Sequence, residues 1–304
     1  MHNVPTATMP RGTSAARSHI ARRDPAIVRW SLILFAVGSL TLLIVVPVVS
    51  VFYHALSPGL GTYFKNLFAN RETLNSILLT LLVAPTAVIA NVVFGVAAAW
   101  AIARFRFPGR SLLTALVDLP FSVSPVVAGL MLTLLFGMRG YLGPWLHEHN
   151  LQIIFAWPGL ILATTFVTLP FVARELIPVM EAIGAEEELA AVSLGANGWQ
   201  MLWRVTLPNV KWGLLYGVIL CNARAMGEFG AVYVVSGHLR GTVTMPLQVE
   251  KLFQDYQTPA SFAVASLLTT LALVTLVLKV IVGRKTRHEL EEAARDNATE
   301  GVLS

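Results

Sequence analysis

Glu181-Ala182-Ile183-Gly184-Ala185-Glu186-Glu187-Glu188-Leu189-Ala190-Ala191-Val192-Ser193-Leu194-Gly195, running on through Trp199 and Arg204 to Val205-Thr206-Leu207-Pro208, is a long polar interval between two membrane-length apolar segments. The pattern predicts two short helices. Glu186, Glu187 and Glu188 fill a first turn, where the helix dipole favours negative charge. Leu189, Val192 and Leu194 fall toward one side, so that helix has an apolar face to lay against a partner. Gly195 stands where a helix end calls for a left-handed residue. After Asn197-Gly198, Trp199 to Val205 makes about two more turns, and Pro208 opens a further helix where proline costs nothing.

Composition decides the solvent on either side of that interval. Of 304 residues, 55% are hydrophobic and 13% charged, with mean hydropathy +0.67. Soluble domains carry about 25% charge, so this is an integral membrane protein. Its lone cysteine, Cys221, lies in an apolar run and excludes an internal disulfide. A basic balance of +5 need not signal nucleic acid here, because position matters more than sum.

Stretches of about 20 apolar residues fill a bilayer core. Six spans are expected, over 30–53, 74–103, 112–137, 153–174, 210–236 and 261–283, giving an all-α fold with a permease domain over 30–284 and its core over 74–283. The fourth span is interrupted by Pro158 and Pro170. Residues 1–29 are a polar, Arg-rich tail; 285–304 form a charged tail of helical propensity around Glu289 to Arg295. The first span is too long for a cleaved leader.

Orientation follows from Lys and Arg. With the N-terminus inside, Lys65, Arg71, Arg139, Arg240 and Lys251 fall outside, Arg224 falls within a span, and the remaining sixteen of the 22 fall inside. Both termini and the 181–208 loop are therefore expected in the cytoplasm.

Charge inside a span is costly and ordinarily faces a cavity or a partner. Span five holds Asn222, Arg224 and Glu228, the last two four residues apart on one helix face. Two readings stay open: a self-neutralising pair that holds the bundle together, or a pair that lines or gates an aqueous path. Asp118, near Pro120 and Pro125, is placed to pair with Arg224 or to cap the irregular backbone there. Gly213 and Gly217 form a spacing that permits close helix approach. His147 and His149 lack companion ligands and read as a solvated loop.

The 181–208 interval resembles the EAA loop of permease subunits in ATP-driven importers. Ala190, Ala191, Gly195, Val205, Leu207 and Pro208 match at the family spacing, while Leu189 stands where the motif puts Glu, with Glu188 just ahead. That departure either loses the acidic contact or moves it by one residue to Glu188, about a quarter-turn of helix. Span five, Arg224-Ala225-Met226-Gly227-Glu228-Phe229-Gly230 above all, is similar to the CysW-type permeases of sulfate/thiosulfate importers, as are Asp118 to Gly129 and Val235 to Leu247. The resemblance covers about 60–280 and implies a type I (MetI-like) permease fold in a bacterial inner membrane.

It further implies a second homologous permease, two ATP-binding cassette subunits that carry the ATP and magnesium, and a periplasmic sulfate-binding protein. Membrane lipid is the other expected contact; no nucleic acid and no cofactor in this chain are expected. No Gly-x-x-x-x-Gly-Lys-Ser/Thr loop is present, since Gly283-Arg284-Lys285-Thr286 lacks the spacing, and no catalytic set is visible, so the chain is expected not to be an enzyme. The alternatives are a permease for another tetrahedral oxyanion such as molybdate, or a stand-alone carrier.

Overall fold

A computed structural model describes the backbone of residues 26–303 and the side chains of 27–285. Of the expected tail over 1–29, residues 1–25 lie outside the described residues and 26–29 belong to the first helix. The chain falls into two compact units, Met1–Val48 and Val49–Ser304.

The described residues of the first unit belong to one helix, α1 (Ala26–Leu56), whose Leu32, Leu34, Leu42 and Leu43 are all exposed. Apolar side chains all round a helix mean a lipid-facing or partner-covered span.

In the second unit a short α2 (Leu60–Phe68) leads to α3 (Arg71–Arg104), which Asn70 starts by accepting the backbone N–H of Glu72 at 2.9 Å. Next come α4 (Arg110–Ser122), α5 (Pro125–Phe136), the short α6 (Gly143–Glu148) and α7 (Trp157–Ile183). Then α8 (Glu186–Ser193) and α9 (Gly198–Met201) lead through a π-helical segment, Leu202–Thr206, into α10 (Leu207–Asn209). The chain closes with α11 (Lys211–Met226), α12 (Gly230–Ser236), α13 (Met245–Gln254) and α14 (Thr258–Leu303).

Among the described residues four helices are long and apolar enough to cross a membrane, and six spans result if two bent pairs each count as one. The pairs are α4 with α5, bent by 110°, and α11 with α12, bent by 51°. Each break has a cause in sequence. Ser124 precedes Pro125, which drives it out of helical geometry, and Gly227-Glu228-Phe229 parts the second pair.

Several expected boundaries move. The fourth span does not stop at Arg174: α7 continues to Ile183, because Leu176, Val179 and Met180 pack into the core beyond the charge. Arg174 therefore lies inside a helix rather than in the cytoplasmic loop. Pro158 sits in the first turn and Pro170 and Pro178 are absorbed within α7. The tail over 285–304 is no separate element, since α14 runs through it to Leu303. Pro208 does not open a new helix; it continues one, and the π-helical turn before it accommodates a residue with no N–H to give.

The bundle core lies between α3, α7 and α11. Ala84, Val88 and Ala99 meet Val172, Leu176, Val179 and Met180, with Cys221 and Ala225 from the third helix. Gly213 and Gly217 both serve this contact: a β-carbon at the first would come within 2.9 Å of Val179 and at the second within 3.3 Å of Val172. Asn91 donates across the same interface to Thr168 at 2.7 Å, and its amide also meets the Cys221 sulfur at 3.5 Å. One buried polar knot thus fixes the register of three helices.

Candidate functional site: the loop helix and the embedded ion pairs

The end of α3 carries Arg104, and α8 lies beside it. Glu188 is 8% exposed and does two things at once. One carboxylate oxygen takes the Arg104 Nε at 2.9 Å; the other accepts the Thr206 hydroxyl at 2.8 Å. Arg104 also donates to the Met180 carbonyl at 2.6 Å, while Asn209 donates to Glu187 and Arg110 reaches Glu181 at 2.9 Å. A buried charge persists only when paired and hydrogen-bonded, and here both oxygens are satisfied. Glu188 thus points into its own chain, between Arg104 and Thr206. Arg104, Thr206 and Asn209 were not identified from sequence, although a lone arginine closing a long apolar span was a signal for the first.

Apolar side chains of the loop are open. Leu189 and Val192 are exposed, Leu194 is 90% exposed, and Trp199 and Trp203 stand nearby in an edge-to-face pair at 5.7 Å. Gly195 takes φ +88°. Around it Ala196 donates to Ala191 at 3.0 Å and Gly195 to Val192 at 2.9 Å, a left-handed C-terminal cap that closes α8. Asn197 and Gln200 then form a reciprocal capping box that starts α9. Between the two helices a cleft of about 330 Å³ is lined by Ala191, Leu194, Gly195, Gln200, Arg204 and Val205. Ala190 and Pro208 are exposed and Leu207 is half-buried.

The embedded charges are sorted differently from expectation. Arg224 and Glu228 do pair, at 2.6 Å, with Glu228 only 2% exposed. Glu228 also accepts the Ala231 backbone N–H at 3.0 Å, so it caps α12 across the break in the span. Asn222 is half-buried on the same helix and makes only a weak contact to the Met226 sulfur at 3.8 Å.

Asp118 does not pair with Arg224 and caps no backbone. It holds Arg174 of α7 through two contacts, Nε at 2.8 Å and the second guanidinium nitrogen at 3.3 Å, and Arg174 lies over the Phe121 ring at 5.1 Å. The Arg174 side chain is 56% exposed. The missed signal was in the run after it: Leu176, Val179 and Met180 restore apolar periodicity, so the charge interrupts a helix without ending it.

Residues 91–288 match the family described as binding-protein-dependent transport system inner membrane component. Over 283 residues the chain is 50% identical to the sulfate transport system permease protein CysW of Escherichia coli K12, covering 92% of this chain and 97% of that one. The chain belongs to this family, among its CysW-type members. The CysW protein of Synechocystis is 52% identical over 86% of this chain and 95% of its own. A second permease type, CysT of Escherichia coli K12, is 39% identical over 70% and 77%. Among solved structures, a bacterial ABC transporter that imports the acidic polysaccharide alginate superposes with TM-score 0.69 at 16% identity, over 86% of this chain and 96% of that chain. That likeness speaks for the fold alone. All-helical, with several apolar helices and a MetI-like permease arrangement, the chain is a multi-pass membrane protein.

Proposed function

We infer that this chain is the permease subunit of an ATP-driven sulfate importer in a bacterial inner membrane. The carrying observation is its 50% identity over 92% of its length to a sulfate transport permease. On this reading α1, α3, α4 with α5, α7, α11 with α12, and α14 are six spans, and both termini face the cytoplasm. Its partners are a second homologous permease, two ATP-binding cassette subunits that hold the ATP and magnesium, and a periplasmic sulfate-binding protein. The relatives are permease subunits, which supports a transport role without catalysis in this chain.

The loop then works as the place where the motor grips. The exposed Leu189, Val192 and Leu194 suit an apolar groove in a cytosolic ATPase. Ala190 and Ala191 keep α8 slim, Gly195 ends it, and Val205, Leu207 and Pro208 carry the chain toward α11. Glu188 is the inward anchor: through Arg104 and Thr206 it ties α8 to the end of α3 and to the approach to α11. Displacing α8 must therefore displace both, as a rigid two-state element requires.

Arg224, Glu228, Asn222 and Asp118 are the candidates for the translocation path or its gate. Glu228 largely cancels the field of Arg224, which suits a conduit that must release what it admits. The exposed Asp118–Arg174 pair cannot sit cheaply in lipid, and so supports a water-filled path or a subunit contact on that side. Labelled sulfate uptake in cells lacking this chain tests the reading: wild type restores accumulation. Arg224→Lys keeps a cation for Glu228 but loses the forked donor, and drops uptake at least about tenfold while the subunit still assembles. Failure of wild type to restore uptake, or accumulation in vesicles holding this chain alone, would falsify the importer; undiminished uptake by the lysine variant removes Arg224 from the path.

A further inference from the structure

The end of α3 remote from α8 is about 50 Å away along the helix, and there the chain forms a second polar cluster. A pocket of about 510 Å³ opens between the first turn of α3, the 237–243 loop and α13. Arg71, Arg240 and Lys251 line it with Glu72 as the one carboxylate, and Asn75, His238 and Gln248 complete the polar wall. Glu72 is shared: Lys251 reaches it at 2.8 Å and Arg240 at 3.6 Å. Arg71 makes no ion pair among the described residues, so cation exceeds anion on this wall. Gln248 is 1% exposed, and its amide nitrogen has no hydrogen-bond partner among the described residues.

An unpartnered buried amide is costly, and a native protein keeps one where something else satisfies it. The surroundings say what that is. Three cations crowd one carboxylate at a helix start, which favours anions. The 237–243 loop is held in place by Thr242, which donates to the Ser236 and Leu239 carbonyls at 2.9 Å each, so Arg240 is delivered over Glu72 by a fixed turn. The space takes a tetrahedral oxyanion with water around it.

We propose that this pocket is an oxyanion-receiving vestibule at the periplasmic mouth of the permease, in which Arg71, Arg240 and Lys251 hold a sulfate-like dianion before it enters the membrane. The proposal rests on the importer reading for its orientation. Glu72 is the built-in competitor: it occupies Lys251 and Arg240 when the anion is absent and sets the affinity low enough for release.

The test is equilibrium dialysis of labelled sulfate against the assembled transporter in lipid nanodiscs, without the external binding protein. Arg71→Gln with Lys251→Gln weakens binding at least about tenfold, the loss of charge-assisted hydrogen bonds. Glu72→Gln does the reverse and tightens it, because the freed cations face the anion alone. A merely structural pocket would move both variants the same way, and that result overturns the proposal. So does an absence of saturable binding in wild type. A change confined to the binding-protein concentration giving half-maximal uptake would show an acidic protein surface docking there, and would overturn it too. Uptake restored by wild type with unaltered dialysis in the variants sinks the vestibule alone; anion binding that responds to the variants in a chain that restores no uptake sinks the importer alone.

Discussion

The two broken spans handle charge in opposite ways. In α11 with α12 the bend is 51°, and the acid of its pair is buried, held by Arg224 on one side and by the Ala231 N–H on the other. In α4 with α5 the bend is 110°, and the acid, Asp118, reaches across to Arg174 on a different helix at the surface of the chain. The first pair mends a break within one helix and is complete without help. The second bridges two helices and leaves most of its arginine uncovered, so it is finished only by another subunit or by water. Burial, more than the presence of charge, separates a pair completed within its own chain from one left open.

Replacing the buried acid breaks the comparison most severely. Glu228→Ala removes the cap and strands Arg224, at a cost of about 3–5 kcal/mol, read as a lower unfolding temperature in detergent. Glu228→Gln retains an acceptor for Ala231 and loses only the charge, which sharpens the point: about 1–3 kcal/mol is expected as the measure of the ion pair, with the remainder of the alanine loss assigned to the cap. Equal losses in the two variants would mean that the pair alone, and not the cap, holds the break. Smallest in stability is Arg174→Gln, at under about 1 kcal/mol because the pair is solvent-screened in the isolated chain. Sulfate uptake should nonetheless fall severalfold in that variant. Uptake at the wild-type level would leave the exposed pair without a part in transport and dissolve the contrast.

The same contrast marks what could be read from residues alone. The loop helix was legible because its carboxylates, its Gly195 end and its apolar face are local, and local chemistry fixes local structure. The Arg224–Glu228 contact was legible for the same reason, being one helical turn long. Asp118 was assigned the wrong partner because its true one lies 56 residues away on α7, and nothing in spacing selects among distant arginines. Arg104 and Thr206 escaped for that reason as well. Boundaries at Arg174 and beyond 283 shifted because a charge was taken as the end of a helix that packing carries onward. The short α2, α6 and α13 were not anticipated: each is under eleven residues and lies between the long spans, where no membrane-length signal announces it.

Asn91, Thr168 and Cys221 weld three helices at one buried point. A shove delivered at one tip of this assembly has no soft joint there in which to dissipate. The welded block must swing whole, the way a crowbar does, and any give has to come from the kinked segments flanking it.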